Sequence, residues 1–439
     1  MEQKRDLSFR QLTDLSFGFF GVQIAYALQS ANISRIFSTL GADPHSLSYF
    51  WVLPPLMGMI VQPLVGMASD RTWTRFGRRI PYLILGAAVA VVVLCLLPNS
   101  GSLGLTTGAA MTFGVVTLML MDTSINMAMQ PFKMLVGDMV SERQKIKAYS
   151  IQSFLCNAGS VVGFVFPFAL AYVGIANVAD EGVVPPTVVY SFYAAALIIV
   201  LCVAYTVARV REMPPADYRA FHGIEAAGAG KPKEASVNIF RVIADAPATF
   251  WTVGLVQFFC WAAFMYMWTY MTGAVAENGW GTTDAKSAAY QEAGNWVGIL
   301  YAVQALGSVL WAMLIPRFRS AKVAYAVSLL IGGVGFASLY FVTDHYLMMV
   351  SLFLVGPAWA AMLALPFTLL TNALEGTPSM GTYLGLFNGT ICLPQIVAAL
   401  LGGTVLHVVG GSQPAMMVVS GGLLWCGAMA VRLIKVKEH

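Results

Sequence analysis

Asp122 lies near the middle of a long apolar stretch, Gly101 to Val140, with no other acidic residue before Asp138. An ionised carboxylate at that depth in a bilayer costs roughly 2.5–3.5 kcal/mol on insertion scales. Taking up a proton removes the charge, so such a group is suited to loading and unloading a proton. A proton-coupled carrier is therefore the first expectation. On a helix, Asp122, Asn126, Met129 and Lys133 form one stripe, spaced i, i+4, i+7 and i+11. Asn126 is then placed to bond the protonated acid. Lys133, about 16 Å further along, is out of its reach and reads as a snorkelling side chain or a substrate ligand.

Other polar groups in apolar surroundings suggest what the carrier would hold. Gln23, Ser30 and Ser34 share one face near the N-terminus, with Tyr26 beside them. Further on, Gln257, Trp261, Phe264 and Trp268 share another face, and Asn388 and Gln395 are spaced i, i+7. Amides and hydroxyls match the hydroxyl groups of a sugar, because unpaired buried polar groups are penalised. Aromatic faces suit the CH-rich side of a pyranose. Gln23, Tyr26, Ser30, Asp122, Asn126, Gln257, Trp261, Asn388 and Gln395 are the expected substrate contacts. Arg35 is expected either to pair with Asp122 or to sit at the outer interface.

Other chemistries lack their residues. The six cysteines lie in six different apolar runs without a CxxC spacing, and the five histidines are scattered over loops and ends. No metal-ligand motif, phosphate-cradling glycine loop or nucleophile–base neighbourhood appears. Neither an enzyme nor a bound cofactor or metal is expected. One buried carboxylate also argues against a sodium site, since hard cations take several oxygen ligands.

The elements that must position these residues follow from composition. The chain is 58% hydrophobic and 10% charged, with mean hydropathy +0.71, against about 25% charged for a soluble domain. Twelve apolar runs of roughly 20 residues recur between about residues 13 and 433, each long enough to cross the hydrocarbon as a helix. The first is too long for a cleaved signal peptide and reads as a retained span. With both ends inside, 23 of the 25 Lys and Arg fall on the inner side, leaving only Arg35 and Lys286 outside. The net charge of +4 thus reflects orientation, and no nucleic-acid partner is expected. A multi-pass protein of the cell membrane, a bacterial inner membrane, with both termini cytoplasmic is the reading.

A Pro-, Ala- and Gly-rich polar interval at 209–246 divides the chain into six-span halves, 1–208 and 247–439. Gln130-Pro131-Phe132 in span four is echoed by Leu365-Pro366-Phe367 in span ten. The fold class is an all-α membrane protein of twelve transmembrane helices in two six-helix halves, the pattern of the major facilitator architecture. Between spans two and three, Gly66…Asp70-Arg71…Gly77-Arg78-Arg79 resembles the cytoplasmic signature loop of that superfamily. The resemblance implies gating roles for Asp70, Arg71, Arg78, Arg79 and Asp138. Asp70 would meet span eleven near Ser379–Gly381, and Asp138 would pair with Arg78 or Arg79.

Three segments resemble sucrose–proton symporters more closely: Gly21-Val22-Gln23…Ala27-Leu28-Gln29, Val61-Gln62-Pro63…Arg78-Arg79…Pro81, and Asp122…Asn126…Gln130-Pro131. The likeness is best over spans one to five. It implies a proton-coupling role for Asp122 and symport of a maltose- or sucrose-type disaccharide by alternating access. In the inner part of span four this chain has Lys133 where plant members carry Arg, and it lacks their acid at the outer end of span seven. The partners expected are a disaccharide, a proton and the lipid bilayer, with the chain a monomer. An uncoupled sugar facilitator and a proton-driven exporter of amphipathic compounds are the alternatives.

Overall fold

The computed structural model describes residues 6–141, 144–212, 246–373 and 386–434. Twelve long helices account for most of them: α1 (Phe9–Thr39), α2 (Leu53–Arg71), α3 (Ile80–Leu96), α4 (Thr107–Met139), α5 (Lys145–Tyr172) and α6 (Pro186–Arg209). After the central interval come α7 (Ala248–Trp280), α8 (Ala288–Ala312), α9 (Ala321–Ser338), α10 (Leu347–Ala373), α11 (Gly389–Val408) and α12 (Gln413–Ala430). Span two is broken. A short helix, Pro44–Phe50, precedes α2, which carries prolines in its first turn, where a missing N–H leaves no helical bond unmade.

Among the described residues, eleven spans are long and apolar enough to cross a membrane, by length and composition. The expected twelfth, α1, does not meet that hydropathy although it has 31 residues. It carries Asp14, Gln23, Gln29, Ser30, Asn32, Ser34 and Arg35. The reason is placement: α1 packs against α4, α5 and α6 and touches α7 and α8, so protein surrounds it on most sides. The α1–α5 contact is a backbone crossing. A Cβ added at Gly159 or Gly163 would lie 2.5 or 2.6 Å from the carbonyl oxygens of Phe20 and Ile24. Small residues four apart allow this approach, and it sets Gln23 beside Ser160.

The first six helices pack chiefly among themselves, as do the last six. The two groups meet where α5 crosses α8, where α1 touches α7 and α8, and where α11 packs on the Pro44–Phe50 helix and on α2. The hydrogen bonds and ion pair described between the groups lie towards the end of the bundle remote from the chain termini, here termed distal. Ser34, Arg35, Thr39 and His45 supply them on one side, and Trp268, Gln291, Asn295 and Gly403 on the other. The Lys286–Glu181 ion pair is at that end as well. Most of the 209–246 interval lies outside the described residues.

Candidate functional site

A pocket of about 70 Å³ opens on the seam between the two groups. Helix α1 contributes Gln23, Tyr26 and Ser30 to it, and α5 contributes Asn157, Ser160 and Phe164. From the other side come Trp268 of α7, Tyr301 and Gln304 of α8, and Trp359 of α10. Gln23 donates to Ser160 Oγ at 3.1 Å, and Ser30 donates to the Tyr26 carbonyl at 2.8 Å. The distal wall is aromatic. Trp51 stacks on Trp268 with ring centroids 6.1 Å apart and planes 16° from parallel. Ser34 joins the pair, accepting from Trp51 Nε1 at 2.8 Å and donating to the Trp268 carbonyl at 3.1 Å.

Of the expected contacts, Gln23, Tyr26 and Ser30 line this pocket; the others do not. Gln257 is fully buried away from it, donating to the Met362 carbonyl at 3.3 Å and accepting from Tyr325 Oη at 3.2 Å. It ties α7 to α9 and α10. Trp261 stands edge-on to Trp359, 5.9 Å between centroids, and so backs the pocket wall. Asn388 is the cap residue of α11, and Gln395 is buried on the same helix. Asn157, Ser160, Tyr301, Gln304 and Trp359 were not expected. Their signal was the spacing of Asn157, Ser160 and Phe164 at i, i+3, i+7 and of Tyr301 and Gln304 at i, i+3. These faces meet because α5 and α8 touch through backbone: a Cβ at Gly298 would lie 2.0 Å from the Phe164 carbonyl oxygen.

Asp122 is 2% exposed on α4. Its partner is Gln29 of α1, whose Nε2 donates to Oδ1. Asn126 bonds elsewhere, donating to the Asp122 backbone carbonyl at 2.8 Å and accepting from Gln62 Nε2 at 2.7 Å. The expected Asn126–carboxyl bond is therefore replaced by Gln29, because the Asn126 side chain folds back along its own helix. Two atoms of this cluster are buried and have no partner among the described residues: Asp122 Oδ2 and Gln29 Oε1. Gln29 lies between Tyr26 and Ser30, so the carboxylate is tied to the helical turn that lines the pocket. Asp14 is a second buried carboxylate, which the count of one missed; it accepts from Tyr205 Oη at 2.8 Å near the start of α1. Lys133 is exposed near Cys156 and does not line the pocket.

Arg35 neither pairs with Asp122 nor stands exposed at the outer interface. It is 0% exposed, and its guanidinium donates to Gln291 Oε1 (2.7 Å), Asn295 Oδ1 (2.7 Å), the Gln291 carbonyl (2.8 Å) and Asn177 Oδ1 (3.0 Å).

At the opposite end, Asp138 Oδ2 accepts from both Arg78 (3.1 Å) and Arg79 (2.9 Å), and Arg79 also donates to Ser69 Oγ. Glu212, just beyond α6, accepts the backbone N–H groups of Arg78, Arg79 and Ile80 at 2.8, 2.7 and 2.6 Å. It caps the N-terminus of α3 from the segment that follows α6. Gly77, at φ +109°, has no room for a Cβ beside that carboxylate. Burial pushes the Glu212 carboxyl up from its usual range, and the three N–H donors pull it back. Arg71 ends α2 and is exposed. The Asp70 side chain and Ser379–Gly381 lie outside the described residues, so that expected contact does too.

The family model of the Major Facilitator Superfamily matches residues 15–290. The chain belongs to this superfamily. As a major facilitator protein it is a multi-pass membrane transporter and not an enzyme. It is 30% identical over 165 residues to the human proton-associated sugar transporter A, covering 36% of this chain and 22% of that protein. The chain thus spans about a fifth of the length of that relative. Sucrose transport protein SUT5 of Oryza sativa subsp. indica is 24% identical over 487 residues, covering 96% of this chain and 88% of that one. The crystal structure of the nucleoside transporter NupG matches with a TM-score of 0.66 at 15% identity, covering 98% of this chain and 99% of the other. That likeness shows the shared fold.

Proposed function

We propose that this transporter carries a disaccharide of maltose or sucrose type together with a proton, by alternating access. The observation that supports it most is the pair of orphan oxygens, Asp122 Oδ2 and Gln29 Oε1. Both accept hydrogen bonds only, and both are buried. A proton on Asp122 turns its carboxyl into a donor, and Gln29 Oε1, on the amide already bonded to that carboxyl, is an acceptor without one. The same α1 turn presents Tyr26 and Ser30 to the pocket, which gives the proton a mechanical route to the substrate.

The pocket wall suits a sugar. Gln23, Asn157, Ser160 and Gln304 offer amides and a hydroxyl, while Trp268, Trp359 and Tyr301 offer faces and edges. At about 70 Å³ the pocket is smaller than the roughly 300–1,000 Å³ of an ordinary ligand site. A disaccharide would place part of one ring there, and the halves would have to part to admit the rest. Sugar transporters among the relatives support this substrate class.

In this reading the halves 1–208 and 247–439 rock about the pocket, joined by the 209–246 linker. The termini lie in the cytoplasm of a cell whose membrane, a bacterial inner membrane, the chain spans as a monomer. The distal seam then faces outward. Asp138 and its arginines, with Asp70 and Arg71, serve the inner gate. Uptake into proteoliposomes tests the proposal: labelled maltose or sucrose should accumulate with an inward proton gradient and only equilibrate without one. Equal final levels in both conditions would mean an uncoupled facilitator. Transport of amphipathic cations in preference to either sugar would mean an exporter.

A further inference from the structure

Arg35 is a buried cation whose described partners are all neutral. Four N–H bonds go to amide and backbone carbonyl oxygens of Gln291, Asn295 and Asn177, and among the described residues it has no carboxylate partner. The titratable group facing it is Tyr290 of α8. The charged groups Lys286 and Glu181 are exposed and paired with each other. The amides are themselves anchored. Gln291 donates to Thr39 Oγ1 (2.9 Å) and the Ala285 carbonyl (2.8 Å), and Thr187 donates to Asn177 Oδ1 (2.5 Å). Gly294 makes room for the side chain; a Cβ there would lie 2.6 Å from Arg35 Cδ.

Beyond the Trp51–Trp268 stack the distal seam is therefore polar at this cluster, as a seam that parts for a hydrophilic cargo can be. A polar seam built of hydroxyls and amides is also a route along which water can pass protons. Asp122 is on the far side of it, tied to α1 at Gln29, six residues or about 9 Å along the helix from Arg35. A proton leaking through the closed seam would reach the coupling site without sugar.

We propose that Arg35 is the proton barrier of the closed distal seam. A guanidinium has donors and no acceptor, and it stays charged, so a hydrogen-bonded proton chain cannot run through it. Its positive charge also repels an approaching hydronium, as arginines do in other water-filled pores. A latch alone would be served as well or better by an Arg–carboxylate pair, whose bonds are stronger. A carboxylate would cancel the charge and offer an acceptor. Neutral carbonyl partners close the seam and leave the potential intact.

The inference rests on Asp122 as the proton site, and the test separates the two. Proteoliposomes holding a pH dye receive an inward proton gradient with no sugar present. Arg35→Gln should raise proton influx at least tenfold over native protein, and Arg35→Lys should stay within about twofold. Asn295→Asp keeps every side chain in place and neutralises the cation, so it should leak like Arg35→Gln even if that variant folds poorly. Sugar counterflow, which needs no gradient, reports folding in each. Adding Asp122→Asn to Asn295→Asp should abolish the leak. A tight Asn295→Asp variant that retains counterflow, or an Arg35→Lys variant as leaky as Arg35→Gln, overturns the barrier. If Asp122→Asn alone still accumulates sugar, the coupling reading fails, whatever the leak does.

Discussion

Replacing Asp122 by Asn and by Ala separates a proton site from a structural carboxyl. Asn puts an amide nitrogen where Oδ2 now has no partner, and that N–H can donate to Gln29 Oε1. It mimics the loaded state, removing one orphan oxygen and offering a donor to the other, an unpaired buried atom being worth roughly 1–3 kcal/mol. Ala leaves the Gln29 amide buried with neither of its atoms bonded to a carboxyl. One proton moving through about 150 mV supplies about 3.5 kcal/mol, which at 1.4 kcal/mol per tenfold is a few-hundred-fold accumulation of sugar. In proteoliposomes, native protein should approach that ratio, and Asp122→Asn should fall to a ratio of about one. Counterflow should survive in the Asn variant, independent of pH, and drop tenfold or more in Ala. Accumulation by Asp122→Asn at the native level would refute the reasoning. So would counterflow equally low in the two variants, since the orphan oxygens would then explain nothing.

Gln304→Ala should raise the KM for sugar about tenfold, whereas Gln257→Ala should leave KM within twofold and lower stability by roughly 1–3 kcal/mol by stranding Tyr325; uptake kinetics and thermal unfolding read the two. Gly298→Val should force α5 from α8, costing about 1–3 kcal/mol or more through overpacking, with loss of transport. Gly108→Val, which has open space around it, should keep native uptake, and equal loss in both would remove the backbone crossing from the account. Glu212→Ala should uncap α3 and lower stability by about 2 kcal/mol. An unchanged unfolding midpoint in detergent would show that its three N–H bonds do not hold the helix end.

Much of this transporter is legible in its sequence. Apolar length dictates spanning helices, because backbone groups in hydrocarbon must bond within the helix. The depth of Asp122 makes it a candidate proton site before any neighbour is known, and the helical spacing of Gln23, Tyr26 and Ser30 gives one pocket wall. Periodicity, however, describes a helix only about its own axis. It puts Gln257, Trp261 and Trp268 on a common face, yet Trp268 reaches the seam while Gln257 is used up between α7, α9 and α10. It offers Asn126 to Asp122, yet the partner is Gln29, 93 residues earlier. It shows nothing of Arg35 meeting Gln291 and Asn295, 256 and 260 residues away. Which faces touch is decided by close backbone crossings at Gly159, Gly163 and Gly298, where missing side chains let two helices approach. Sequence alone determined the helices and their charged residues; tertiary packing decided which polar groups meet, because those contacts join segments that no local pattern relates.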